Sequence, residues 1–123
     1  MIIGLNILYA VCVVLIPIIA IITGYLMKTR PPKEINDVVG YRTPRSKASK
    51  EAWDFANVYS GKNTFIYGIA SLIISIAAYY FMTSNAGMGE MSSMLIIMAV
   101  QLIVMVIIMV VPTEKKLKEK FGE

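Results

Sequence analysis

The chain has 123 residues, 57% of them hydrophobic and 16% charged, with a net charge of +4. A soluble domain holds about 45–50% apolar and about 25% charged residues, and one this small leaves roughly a third of its surface in water, so the composition excludes a soluble fold and points to a membrane protein. With 0 His and 1 Cys, Cys12, placed inside an apolar run, Ser-His-Asp and Cys-His catalysis, imidazole-bound metals, disulfides and thiolate metal sites are excluded as well.

The first predicted element is a membrane span over residues 2–27. It is uncharged and about as long as a spanning helix can be, with Asn6 and Thr23 toward its ends. It lacks the positive leading segment of a cleaved signal peptide, and Val11 before Cys12 is too bulky for a lipoprotein signal, so the segment is expected to stay. Pro17 removes one backbone donor and should kink this helix.

Residues 28–63 form a long basic loop. Pro31-Pro32 stops the first helix, and Gly40-Tyr41-Arg42-Thr43-Pro44-Arg45 reads as a turn, because Pro44 forces Thr43 out of the helical region. A short helix over residues 50–60 follows, with Ser49 as N-cap, Glu51 in the first turn and Gly61 as the glycine just past its end. Ala52, Phe55, Ala56 and Tyr59 share one face, with Trp53 and Asn57 one turn apart beside it. Such an amphipathic helix with Trp, Tyr and flanking Lys is expected to lie in the membrane interface.

The second span is predicted at 64–82. Gly68, Ser71, Ser75 and Ala78 make a small-residue stripe along it, which suits close helix packing better than a transport path. An outer loop at 83–93 leads to the third span at 94–111, where the Gln101 amide needs a hydrogen-bond partner on a neighbour. A basic tail over 112–123 places Leu117 and Phe121 at i, i+4 as an interfacial anchor. Three uninterrupted apolar runs must satisfy their backbone internally, so the fold class is an all-α membrane protein with three transmembrane helices plus the interfacial helix. Eight Lys and Arg lie in the 28–63 loop and four in the tail, against none on the other side. The positive-inside bias then puts the N-terminus outside and the C-terminus in the cytoplasm of a multi-pass cell-membrane protein. Anionic lipids, not nucleic acid, are the partners expected for the basic face, and the small-residue face also allows a homo-oligomer. No charged side chain lies inside a span, which argues against ion pumping and proton relay.

The loop holds the residues with candidate chemistry. Glu51, Asp54 and Asn57 follow one another at helical spacing and could hold a divalent cation, with Arg42 and Arg45 stabilising an anion in a hydrolase acting on lipid phosphate or peptide. The plainer reading of that edge is a solvated charged face paired with Lys47, Lys50 or Arg45. A third reading is an adaptor whose basic face recruits a soluble regulator protein or anionic lipid.

The loop also carries a pattern. Asn36, then Gly40-Tyr41-Arg42-Thr43-Pro44-Arg45-Ser46, then Ser49, Glu51, Trp53, Ala56, Asn57 and Gly61-Lys62 together resemble the SdpI family of small bacterial membrane proteins, over about 27 residues. The family's named member is an immunity protein that protects a toxin-producing cell from its own secreted antimicrobial peptide. The resemblance implies a comparable protective role, with Asn36, Arg42, Thr43, Arg45, Trp53 and Asn57 as the ligand-binding set and Gly40, Tyr41, Pro44 and Gly61 shaping the backbone. Longer members carry an additional N-terminal membrane region, and roles tied to it, including holding a repressor at the membrane, are not implied here.

Overall fold

A computed structural model describes the backbone from residue 2 to residue 122 and the side chains from Asn6 onward. It contains three long helices, α1 (Ile2–Thr29), α2 (Lys50–Ser84) and α3 (Glu90–Phe121), with a 3₁₀ turn at Ser46–Ala48. All three are long and apolar enough to cross a membrane. No strand occurs among the described residues. Ile73, Ile74, Leu102, Ile103 and Val111 are exposed around the bundle, an apolar surface that water would not tolerate and lipid does.

Helices α2 and α3 run to 35 and 32 residues. At 1.5 Å per residue they measure roughly 50 Å, well beyond a hydrocarbon core of about 30 Å. The excess lies at the basic end. There α2 runs without interruption from the loop into the second span, so the expected separate helix over 50–60 does not exist as an element of its own. Gly61, expected just past its end, lies mid-helix. Its role is close approach: a Cβ there would sit 2.6 Å from Met27 Cβ and 2.8 Å from the Lys28 backbone nitrogen. Gly24 and Gly68 are equally tight against α2 and α1, so three glycines let these two helices touch backbone to backbone.

Helix α3 likewise does not stop at 111. It carries Pro112 inside it and continues to Phe121, so most of the expected tail is helical. The connection between α2 and α3 is shorter than expected, five residues (85–89), and turns at Gly87 with φ +71°.

One polar node locks the three spans together. Pro17 has no N–H, so the carbonyl four residues earlier, Val13, loses its helical donor. Gln101 of α3 supplies it: Nε2 donates to Val13 O at 2.7 Å and to Ser75 Oγ of α2 at 2.8 Å. The Tyr67 hydroxyl donates to the Gln101 carbonyl at 2.7 Å. Hydrocarbon offers no replacement for these bonds. Gln101→Leu is therefore expected to destabilise the bundle by about 2 kcal/mol, roughly one for each interhelical bond lost, measured by unfolding in mixed micelles. Beside this node, α2 and α3 diverge into a lipid-facing groove of about 730 Å³, with Ala70, Ser71 and Gln101 along its walls.

Candidate functional site: a cap clamped to the basic end

The protruding ends of α2 and α3 hold the loop between them. Ser49 caps α2 by accepting from the Ala52 backbone N–H at 3.0 Å, as its position predicts. Before it, Thr43 and Ser46 brace each other. The Thr43 N–H donates to Ser46 Oγ at 2.8 Å, and the Ser46 N–H donates to Thr43 Oγ1 at 3.2 Å. Ser46 Oγ also donates toward the Tyr41 carbonyl at 3.0 Å. This small buried residue fixes the turn that Pro44 begins.

Two layers then tie the loop down. Against α2, Trp53 is fully buried and donates its indole N–H to Pro32 O at 2.8 Å. Asn57 is also fully buried: Oδ1 accepts from the Tyr41 N–H at 2.7 Å, and Nδ2 donates to the Trp53 carbonyl at 2.9 Å. Gly40 is required at this contact. Its φ is +103°, and a Cβ would lie 2.5 Å from Asn57 Oδ1. Gly40→Ala is expected to cost about 1–3 kcal/mol in backbone strain alone, seen as faster tryptic cleavage of the loop.

Against α3, three loop side chains converge on Glu114. Tyr41 Oη donates to Oε2 at 2.6 Å, Thr43 Oγ1 to Oε2 at 2.7 Å, and Arg45 Nη1 to Oε1 at 3.3 Å. Burial pushes the Glu114 carboxyl up, but the three donors outweigh it and hold it below the usual glutamate range. Burial, then the Glu114 hydrogen bond, drives the Tyr41 phenol well above its ordinary value. Beneath the clamp, Tyr41, Ala52, Ala56 and Leu117 form an apolar core flanked by Met27, Phe55, Met109 and Val110.

The expected site residues thus divide. Gly40, Tyr41, Thr43, Arg45, Trp53 and Asn57 face inward and build the cap. Trp53 is a core residue rather than an interfacial anchor, and Leu117, expected in the interface, is buried beside Tyr41. Arg42 and Asn36 lie outside: Arg42 Nη1 donates to the Asp37 carbonyl, and Asn36 Oδ1 accepts from the backbone N–H groups of Val38 and Val39. Pro44 is exposed at the turn, and Gly61 belongs to the α1 contact. Glu51, Asp54 and Asn57 do not share an edge. Glu51 is exposed, Asp54 pairs with Lys50 at 2.6 Å in solvent, and both polar atoms of the Asn57 amide are engaged in the core. Among the described residues no group of three His, Cys, Asp or Glu could hold a metal ion. Glu114 is the functional-site residue that sequence reasoning missed. Its only signal is a carboxylate two residues after Pro112, ahead of the lysines of the tail.

This architecture is that of a multi-pass membrane protein with three spans and a loop cap. The chain matches the SdpI/YfhL protein family over residues 33–111. It is 39% identical over 100 residues to the uncharacterized protein YfhL of Bacillus subtilis (strain 168), covering 80% of this chain and 78% of that protein. The chain belongs to the SdpI/YfhL family. No solved structure matches it.

Proposed function

We propose that this protein protects its own membrane against a secreted antimicrobial peptide, binding the peptide or the peptide's membrane target. The observation that carries the reading is family membership across the loop motif and the second and third spans. The fold is consistent with it: charge-poor spans, a cap that holds the helix ends rigid, and an apolar groove between α2 and α3 open to a ligand already in the bilayer. The basic end faces the cytoplasm in this reading, with the N-terminus outside, because all 12 Lys and Arg lie on that side. The hydrolase reading has less behind it, since its proposed carboxylates stand apart from Asn57 and toward solvent.

Survival of a sensitive bacterium expressing the chain, challenged with a panel of toxic peptides, tests the proposal. The intact protein is expected to raise survival against at least one peptide. Ala70→Phe, which fills the groove from an exposed position, is expected to abolish that gain at equal expression. Killing that is the same with and without the protein across the panel removes the proposal. Impermeant labelling of Lys47 in intact cells checks the orientation, with no labelling expected.

A further inference from the structure

The cap leaves one apolar surface uncovered. Ile35 is 40% exposed, Val38 79% and Val39 58%, all within one short turn of the loop. The turn is built rather than loose. Asn36 Oδ1 accepts from Val38 N at 2.9 Å and Val39 N at 2.7 Å, and its Nδ2 donates to Glu34 O at 2.9 Å. Lys47 Nζ closes the other side on Asp37 Oδ1 at 2.7 Å. Asn, Asp and Gly are the residues a water-facing tip favours, yet this turn uses its Asn and Asp as braces and holds two valines outward.

Charge surrounds the valines. Arg30, Lys33 and Arg42 are exposed; Arg42 donates to the Asp37 carbonyl and its charge acts on the Asp37 carboxylate, and against the exposed Glu34 and Asp37 the tip keeps an excess of positive charge. Depth agrees with this. Val39 stands two residues before Tyr41, whose N–H is bonded to Asn57. Asn57 lies seven residues before Thr64, where the second apolar run begins, which is about 10 Å along the helix axis. The headgroup layer extends roughly 5–8 Å beyond the hydrocarbon, so the tip stands a few Å outside it, within reach of its side chains. Ser49, at the other end of the cap, is about 22 Å above the same boundary.

We propose that Ile35, Val38 and Val39 insert into the headgroup layer of an anionic membrane, while Arg30, Lys33 and Arg42 bind lipid phosphates around them. The partner is a lipid surface because the exposed cations complement it and the spans hold the tip beside it. The cap is then fastened twice, by Glu114 from within and by lipid from outside.

The test uses the full chain with Cys12→Ser and an environment-sensitive fluorophore on Val38→Cys or, as control, Ala48→Cys. Each is reconstituted into phosphatidylcholine vesicles with or without phosphatidylglycerol, and nitroxide lipids act as quenchers. The Val38 label is expected to shift to the blue and to be quenched several-fold more than the Ala48 label in vesicles containing phosphatidylglycerol. Lys33→Gln, which removes a side chain outside the cap's hydrogen-bond network, is expected to lower the inserted-to-free ratio about fivefold. A Val38 label that emits as in water and is quenched no more than the Ala48 label overturns the proposal and leaves the tip to a soluble protein. Equal quenching with and without phosphatidylglycerol overturns it too, since the recognition is then not of anionic lipid.

Discussion

Trp53→Ala is expected to open the cap while leaving the spans in place. The indole is fully buried, and its N–H ties the Pro32 carbonyl to α2. Removing a fully buried Trp costs about 3–5 kcal/mol. The Glu114 clamp and the Asn57 bond to the Tyr41 N–H remain, but the first half of the loop, residues 31–42, loses the contact that holds Pro32 to α2. Trypsin should then cut at Lys33, Arg42 and Lys47 at a much higher rate, while helix content measured by circular dichroism hardly changes. If cleavage stays as slow as in the parent, the loop is held by other contacts and Trp53 is not its keystone.

Glu114→Ala is the second large effect. It removes the common acceptor of Tyr41, Thr43 and Arg45, leaving the Tyr41 phenol only its long 3.5 Å bond to the Val110 carbonyl and a half-buried guanidinium without its carboxylate, at a cost of about 2–4 kcal/mol. Because Glu114 is held below the ordinary glutamate value of 4.5, its stabilisation is complete at neutral pH. It falls away as pH drops below that value and through the lower folded one. Loop protection in the parent should therefore decline in acid, and Glu114→Gln should lose that dependence along with part of the protection. Asp37 is also held low, by its hydrogen bond from Lys47 and that lysine's charge, but this pair is exposed and screened. Asp37→Asn is expected to keep the parent's pH profile. Acid sensitivity that follows Asp37 instead of Glu114 would move the clamp to the wrong residue.

Much of this fold could be read in advance, for a simple reason. An uncharged run of about 20 residues has one low-energy place to be, so the three helices follow from hydropathy alone. Ser49 was legible because capping is local, and Gln101 because a mid-membrane amide must find a partner. Sequence and structure part where one residue type serves two physical ends. Gly61 offers the same absence of a Cβ to a helix terminus and to a close helix contact, and only the position of Met27 decides between them. An aromatic face on Lys50–Ser60 suits a membrane interface and a protein core equally. Trp53 lies in the core, where the loop brings the Pro32 carbonyl to its indole N–H. Helix α3 runs on past residue 111 through Pro112, because one lost backbone bond is outweighed by what the next three turns gain, namely Leu117 in the core and Glu114 in the clamp. Glu114 itself was hidden by distance, since its partners lie 69 to 73 residues earlier and no local pattern connects them.

The motif loop is a packed cap on the helix ends, neither a helix lying in the membrane surface nor a free tether. Trp53 is the chain's 1 Trp, so intrinsic fluorescence reports on its burial without a label. In vesicles, the emission of the intact protein is expected to resist quenching both by nitroxide lipids and by aqueous iodide, since the ring is covered by protein on every side. Strong quenching by the lipid nitroxide would put Trp53 in the interface, strong quenching by iodide would put it in water, and either result contradicts the cap.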